Sequence, residues 1–219
     1  MQEDTLKQFL PATEGWFRKT FGEPTKIQRE AWPAIADGKH VLVSAPTGTG
    51  KTLSAFLVFI DQLGGLVERG ELKEELYVIY VSPLKSLAGD IRENLRKPLE
   101  GIGAEAPGES KAESRPGNPS IGQIQTAIRT GDTPQKERQR MVKHPPHILI
   151  ITPESLYLML TSKSGRQVLK TAKAIILDEL HALIDTKRGA HLMLSVARLD
   201  KLCGRRLQRI GLSATIEPL

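Results

Sequence analysis

The sequence predicts an α/β fold, a mostly parallel sheet with helices on both faces, and three observations carry that prediction. Short apolar runs alternate with helical segments along nearly the whole chain, the pattern of successive strand–helix–strand units. The stretch Ala45 to Thr52, A-P-T-G-T-G-K-T, lies between one such run, Val41 to Val43, and the apolar-rich segment Leu53 to Leu63. That order of strand, Gly-rich loop and helix is the pattern of a phosphate-binding loop. A further run, Ala174 to Leu177, ends in the adjacent carboxylates Asp178 and Glu179, so a buried strand would expose two acids at its carboxyl edge.

Composition sets the outer bounds. The 219 residues suit one large α/β domain or two small ones, with ample length for a core. A formal net charge of +6 favours a polyanionic partner only moderately. Cys203 is the sole cysteine, which excludes an internal disulfide framework and a cysteine-based zinc cluster. The first ten residues are polar before they are apolar, and no apolar run approaches the roughly 18 residues of a membrane span. The expectation is a soluble intracellular protein with no membrane partner.

Taken in order, Met1 to Gly22 reads as helical, with Leu6, Phe9, Leu10, Trp16, Phe17 and Phe21 as its apolar positions. A second helix opens at Pro24-Thr25-Lys26-Ile27-Gln28 and ends near Asp37-Gly38. Thr25 and Gln28 have the spacing of a capping box. The Gln28 amide, donor and acceptor together, could also pair with both edge groups of an adenine, and the two roles are compatible.

In the phosphate loop, Gly48 and Gly50 allow backbone conformations closed to residues with a Cβ, so successive N–H groups can point at phosphate oxygens. The positive end of the following helix adds to that attraction. Lys51 would reach the β- and γ-phosphates and the Thr52 hydroxyl would ligate Mg²⁺. Thr47 and Thr49 complete the lining. Ala45 stands at the first motif position, where a small residue suffices.

Further strands are expected at Leu76 to Val81, Gly122 to Arg129, Ile148 to Ile151, Ala174 to Leu177 and Leu207 to Leu212. Gly101 to Ser120, rich in Gly, Pro, Ser and Glu, is expected to be a mobile surface loop. Ser82-Pro83, Thr133-Pro134 and Thr152-Pro153 each place a hydroxyl N-cap before a proline suited to a first helical turn. Singly each is a well-made helix start. Together, on one parallel sheet, they would line its carboxyl edge with helix N-termini able to hold backbone phosphates without reading bases. Lys85 and Arg129 would add charge there, and Asp132 would oppose it or orient a neighbouring basic side chain.

Asp178 would hold Mg²⁺ and Glu179 would polarise the attacking water as general base. His181 could couple that site to another element, and Ser213-Ala214-Thr215 follows the last strand.

This set, in this order and spacing, resembles the first motor domain of a superfamily-two helicase of the DExH branch. P-T-K-I-Q-R-E-A-W-P-A-I, V-S-P-L-K-S-L, R-T-G-D-T, T-P-E-S-L and D-T-K-R-G-A-H-L are similar to the large-helicase-related (Lhr) family, while Arg188-Gly189 also resembles the Ski2-like helicases. The resemblance covers nearly the whole chain. It implies a RecA-like P-loop fold, with residues 1–38 as a helical segment bearing the adenine-reading motif and 39–219 as the first motor domain. It also implies ATP with Mg²⁺, and movement along a nucleic-acid strand, usually DNA in the 3′-to-5′ direction.

By the same resemblance Gln28 reads adenine, Lys51 and Thr52 serve phosphate and metal, and Asp178 and Glu179 are the catalytic carboxylates. Ser82, Pro83, Lys85, Thr130, Gly131, Thr152 and Pro153 map to strand-contacting motifs, and Ser213 and Thr215 to the coupling motif. The partner is single-stranded DNA, with RNA as the alternative, together with a second motor domain of the same protein.

The family's second motor domain and its arginine-bearing motif are not represented up to Leu219, and the expectation is a fragment of a longer motor. Gly204-Arg205-Arg206 superficially matches a finger motif but precedes Ser213, and Arg205, Arg206 and Arg209 are read as a solvated basic face. Two other classes stay open: a P-loop enzyme phosphorylating a small molecule, which would need an acceptor pocket and lid, and a nucleotide-dependent nucleic-acid-binding scaffold.

Overall fold

Three strands at the centre of the molecule explain its architecture. Val78–Val81, Ile148–Ile151 and Ala174–Leu177 are buried at every position, as parallel strands are when helices cover both faces. The computed structural model describes residues 4–46, 48–83, 87–105 and 121–214, and only the backbone of residues 87–90.

In chain order the described elements are α1 (Pro11–Phe21), α2 (Lys26–Ala36), β1 (Val41–Ser44), α3 (Lys51–Glu68), β2 (Val78–Val81), α4 (Leu87–Glu105), β3 (Thr126–Arg129), α5 (Gln135–Lys143), β4 (Ile148–Ile151), α6 (Pro153–Thr161), α7 (Lys163–Leu169), β5 (Ala174–Leu177), α8 (Lys187–Cys203) and β6 (Gln208–Ser213). The six strands form one sheet in the order β1-β6-β5-β2-β4-β3, and every pairing is parallel.

Alternation along the strands divides the core in two. Val78, Tyr80, Ile148, Ile150, Ala174 and Ile176 face a cluster with Trp16, Phe17, Trp32, Phe56 and Leu95 from α1 to α4. Ile79, Val81, Leu149, Ile151, Ile175 and Leu177 face the other, with Met141, Leu156, Val168, Leu192 and Val196 from α5 to α8. The α/β, mostly parallel sheet with helices on both faces is therefore as the sequence predicts. No helix among the described residues is long and apolar enough to cross a membrane.

Several expectations need correction. The first helical segment is not continuous: a 3-10 turn at Thr5–Gln8 precedes α1. Leu10 is held out of helical conformation, with φ −56° and ψ 148°, because the ring of Pro11 disfavours the α region in the residue before it. The strand expected from Leu76 begins at Val78, and that expected from Gly122 begins at Thr126, after a 3-10 turn at Ile121–Gln123.

The loop expected from Gly101 to Ser120 starts too early, since α4 runs to Glu105, and residues 106–120 lie outside the described residues. Gly101 belongs to that helix for a packing reason. A Cβ there would sit 2.1 Å from the Trp16 indole nitrogen, so the glycine lets α1 and α4 meet.

Of the hydroxyl–proline pairs, Thr152-Pro153 caps a helix as expected: Thr152 Oγ1 accepts from the Ser155 N–H, and Pro153 opens α6. Thr133 is not an N-cap. Pro134 occupies that position, and the Thr133 hydroxyl instead donates to the Ile128 carbonyl. The residues that follow Ser82-Pro83, 84–86, lie outside the described residues. The Arg205, Arg206 and Arg209 group is not simply a solvated face either. Arg205 donates to the carbonyls of Thr171 and Ala172, and Arg209 pairs with Asp200 at 2.5 Å.

Candidate functional site

Because all six strands are parallel, their carboxyl ends share one edge of the sheet. Arg129, Ile151, Val81, Leu177 and Gly211 are register partners across β3, β4, β2, β5 and β6. The next residues on four of these strands, Thr130, Thr152, Ser82 and Asp178, therefore leave the sheet side by side, and Ser44 pairs with Ser213 at the far end. The sequence motifs, scattered over more than 180 residues, are gathered by topology alone.

The phosphate loop leaves β1 at Ala45, whose N–H donates to the Ser213 carbonyl. Gly48 and Gly50 have φ of +81° and +84°, left-handed values that favour glycine. At Gly50 a Cβ would also lie 2.8 Å from Gln28 Nε2. Gly50 leads straight into α3, whose first N–H groups have no carbonyl partner within the helix and open onto the loop. Lys51 Nζ donates to the carbonyls of Ala45 and Pro46 at 2.5 and 2.7 Å, and the Thr49 hydroxyl donates to Pro46.

On β5, Asp178 Oδ1 accepts from the Glu179 N–H at 2.8 Å, and Oδ2 accepts from the Tyr80 hydroxyl. Burial pushes the Asp178 carboxyl above its ordinary value, against those two hydrogen bonds and the nearby Lys51 charge, which favour the carboxylate. Glu179 takes φ 51° and ψ 44°, left-handed values that a non-glycine residue holds only under constraint. This bend sets the two acids on different headings.

His181 supplies the constraint. Its Nε2 lies 3.2 Å from Glu179 Oε2, and its Nδ1 accepts from the Ala214 N–H at 3.1 Å, with Ser213 Oγ 3.5 Å away. A backbone donor at Nδ1 places the neutral ring's proton on Nε2, where it faces the carboxylate. Glu179, His181 and Ser213 thus form one line from the acid to β6. Thr215 lies outside the described residues.

These groups open on a cavity of about 810 Å³, lined among others by Thr25, Gln28, Gly48, Thr49, Gly50, Lys51, Thr52, Asp178 and Glu179. Thr47, expected in this set, lies outside the described residues. The capping box is formed: Thr25 Oγ1 accepts from the Gln28 N–H, and Gln28 Oε1 from the Thr25 N–H at 2.9 Å. Gln28 is buried between that cap and Gly50.

The donor set fits a magnesium ion. One hydroxyl and one carboxylate suit a hard cation that keeps several waters and takes its other ligands from substrate phosphates.

The rest of the edge is less uniform than its motifs. Ser82, Pro83, Thr152 and Pro153 are buried, and the Thr152 hydroxyl is committed to Ser155. Their side chains therefore shape the edge. Thr130 is partly exposed and Gly131 fully so. Arg138 holds that turn from below, donating to the carbonyls of Thr133 and Gly131 at 2.6 and 2.7 Å. Lys85 lies outside the described residues.

Sequence reasoning missed several residues at the cavity. Phe21, 54% exposed, and Lys97 line it from α1 and α4, and Tyr80 lies beneath it. None stands in a motif; the half-exposed aromatic at a helix end was the only available signal.

Lys51→Ala is expected to weaken ATP binding at least about tenfold, since one charge-assisted hydrogen bond is worth roughly 1.5–3 kcal/mol. Equilibrium titration with a fluorescent ATP analogue, with circular dichroism to confirm folding, measures it. Unchanged affinity would remove Lys51 from the site.

The sequence pattern of the DEAD/DEAH box helicases matches residues 25–219. The chain is 48% identical over 215 residues to a Mycolicibacterium smegmatis protein named Lhr helicase/probable uracil glycosylase, covering 98% of this chain and 14% of that protein. It is 49% identical over 209 residues to the ATP-dependent helicase Lhr-Core of Methanothermobacter thermautotrophicus, covering 95% of this chain and 23% of the relative. The structure of Mycobacterium smegmatis helicase Lhr bound to ssDNA and AMP-PNP superposes with a TM-score of 0.86 at 48% identity, over 98% of this chain and 26% of that one. The DEAD-box helicase Mss116 bound to ssRNA shares the fold, with a TM-score of 0.77 at 19% identity over 99% of this chain and 41% of that one.

Proposed function

The chain belongs to the DEAD/DEAH box helicase family, and on that premise we propose that it is the ATP-binding first motor domain of an Lhr-type helicase, coupling ATP hydrolysis to movement along single-stranded DNA. The observation that carries this reading is the placement of Lys51, Thr52, Asp178 and Glu179 on one cavity, with Glu179 tied through His181 to the end of β6.

In this reading the phosphates of ATP lie on the N–H groups of residues 48–52, and Lys51 exchanges its two loop carbonyls for phosphate oxygens. Thr52 and Asp178 would hold Mg²⁺, which supplies charge neutralisation at the β- and γ-oxygens. Glu179 orients the attacking water and accepts its proton at the carboxylate. His181 keeps that carboxylate in place, so a shift of Ser213 and Ala214 when DNA or the second motor domain engages would be felt at the γ-phosphate. Gln28 reads the adenine edge while keeping its cap, because a carbonyl oxygen has a second lone pair. The structure of Mycobacterium smegmatis helicase Lhr bound to ssDNA and AMP-PNP supports both ligands.

DNA is held through its backbone by the turn at Thr130 and Gly131 and by the helix N-termini of the edge, which carry no base information. The full-length protein is therefore expected to show ATPase activity stimulated by single-stranded DNA of any sequence. Its DNA affinity should fall at least about tenfold between roughly 50 and 200 mM salt, as counterions released by a few phosphate contacts require. Parallel ATPase assays with single-stranded DNA and RNA, and fluorescence anisotropy across that salt range, test it. Stimulation by RNA alone would move the substrate to RNA. Phosphorylation of a small acceptor with no response to nucleic acid would overturn the motor reading.

A further inference from the structure

Tyr80 is a fully buried residue of the central strand β2 with a polar end, and a buried hydroxyl needs partners. Its register partner on β5 is Ile176, so the period-two alternation of strands puts Asp178 on the same face, just beyond it. The ring lies on Phe56 of α3, with centroids 4.7 Å apart and an interplanar angle of 17°. Held there, the hydroxyl donates to Asp178 Oδ2.

A phenol has one proton to give and lone pairs to accept with. Here the proton goes to the carboxylate. On Asp178 the phenol occupies Oδ2 while the Glu179 N–H occupies Oδ1, so the carboxylate is held against rotation and its remaining lone pairs keep a fixed heading.

We propose that Tyr80 is a positioning residue for the metal–nucleotide complex, its buried hydroxyl holding the Asp178 carboxylate so that it presents an oxygen lone pair to one magnesium ion. This rests on the nucleotide reading above. It would explain why a tyrosine occupies a strand position that needs only an apolar side chain for packing.

Tyr80→Phe tests it in the full-length protein. The ring and its stacking on Phe56 are retained, and water from the cavity can reach Asp178, so the fold should persist by far-UV circular dichroism. Affinity for a fluorescent ADP analogue is titrated with EDTA present and then with increasing Mg²⁺. Metal-free affinity should stay within about twofold of the parent, while the Mg²⁺ concentration for half-maximal binding rises about tenfold or more, the usual effect of removing a partner behind a metal ligand. Superimposable Mg²⁺ titrations would overturn the proposal. So would an equal loss of affinity with and without Mg²⁺, or loss of secondary structure, since each reports a purely structural residue. No nucleotide binding by the parent protein would refute the underlying reading instead.

Discussion

ATP hydrolysis by residues 1–219 alone is expected to run at least about a hundredfold slower than in the full-length protein carrying the second motor domain proposed above. The reason lies in the cavity. The cations lining it among the described residues are Lys51 and Lys97, and no arginine does so. Charge that develops on the transferred phosphoryl group would therefore go partly unneutralised, and an arginine finger supplied from elsewhere is worth on the order of 10³ to 10⁵ in rate. One domain also has nothing to close against, so water stays in the cleft and weakens every contact to the phosphates. Steady-state ATPase with saturating single-stranded DNA, on the short and the full-length chains in parallel, measures the ratio. Equal rates would mean the active site is complete within residues 1–219, and the two-domain motor would have to be abandoned.

Glu179→Gln should lower the DNA-stimulated ATPase rate of the full-length protein by roughly 10² to 10⁴, the usual contribution of a positioned general base. The amide keeps the shape of the side chain and can still accept from His181 Nε2, but it cannot take a proton from water at neutral pH. Nucleotide affinity should change less than about twofold, because phosphate and metal are assigned to Lys51, Thr52 and Asp178. A loss confined to the rate constant in single-turnover kinetics, with an unchanged titration midpoint, is the expected signature. A variant that turned over ATP at the parent rate would leave Glu179 with a structural role only.

How far the sequence could be read depended on whether each signal was local. The strands β4 and β5 were legible to the residue, because apolar runs bounded by polar ones mark doubly covered parallel strands wherever they occur. The phosphate loop was legible because Gly48 and Gly50 satisfy a backbone requirement at their own positions, and the structure gives both positive φ. Boundaries were read worse where a neighbour in space decides them. Gly101 has the composition of a loop, yet it lies within α4, where its lack of a Cβ lets Trp16 pack over the helix, a contact between residues 85 positions apart in sequence. Thr133 had the composition of a cap, yet its hydroxyl was drawn to the Ile128 carbonyl by the turn that Arg138 holds.

What the sequence determined by itself, then, is the fold class and the chemical inventory: an α/β sheet, a phosphate loop, two adjacent acids and a histidine near them. Hydrophobic period and glycine requirements are short-range properties, and a single chain displays them directly. Only the tertiary structure decided which of these groups meet. It set Asp178 beside Tyr80, bent Glu179 into the left-handed region, and ran His181 across to Ser213 and Ala214. The physical reason is the strand order β1-β6-β5-β2-β4-β3. A parallel sheet brings together residues from strands far apart in the chain, and side-chain hydrogen bonds across its edge are chosen by that register and by burial rather than by anything in the residues on either side.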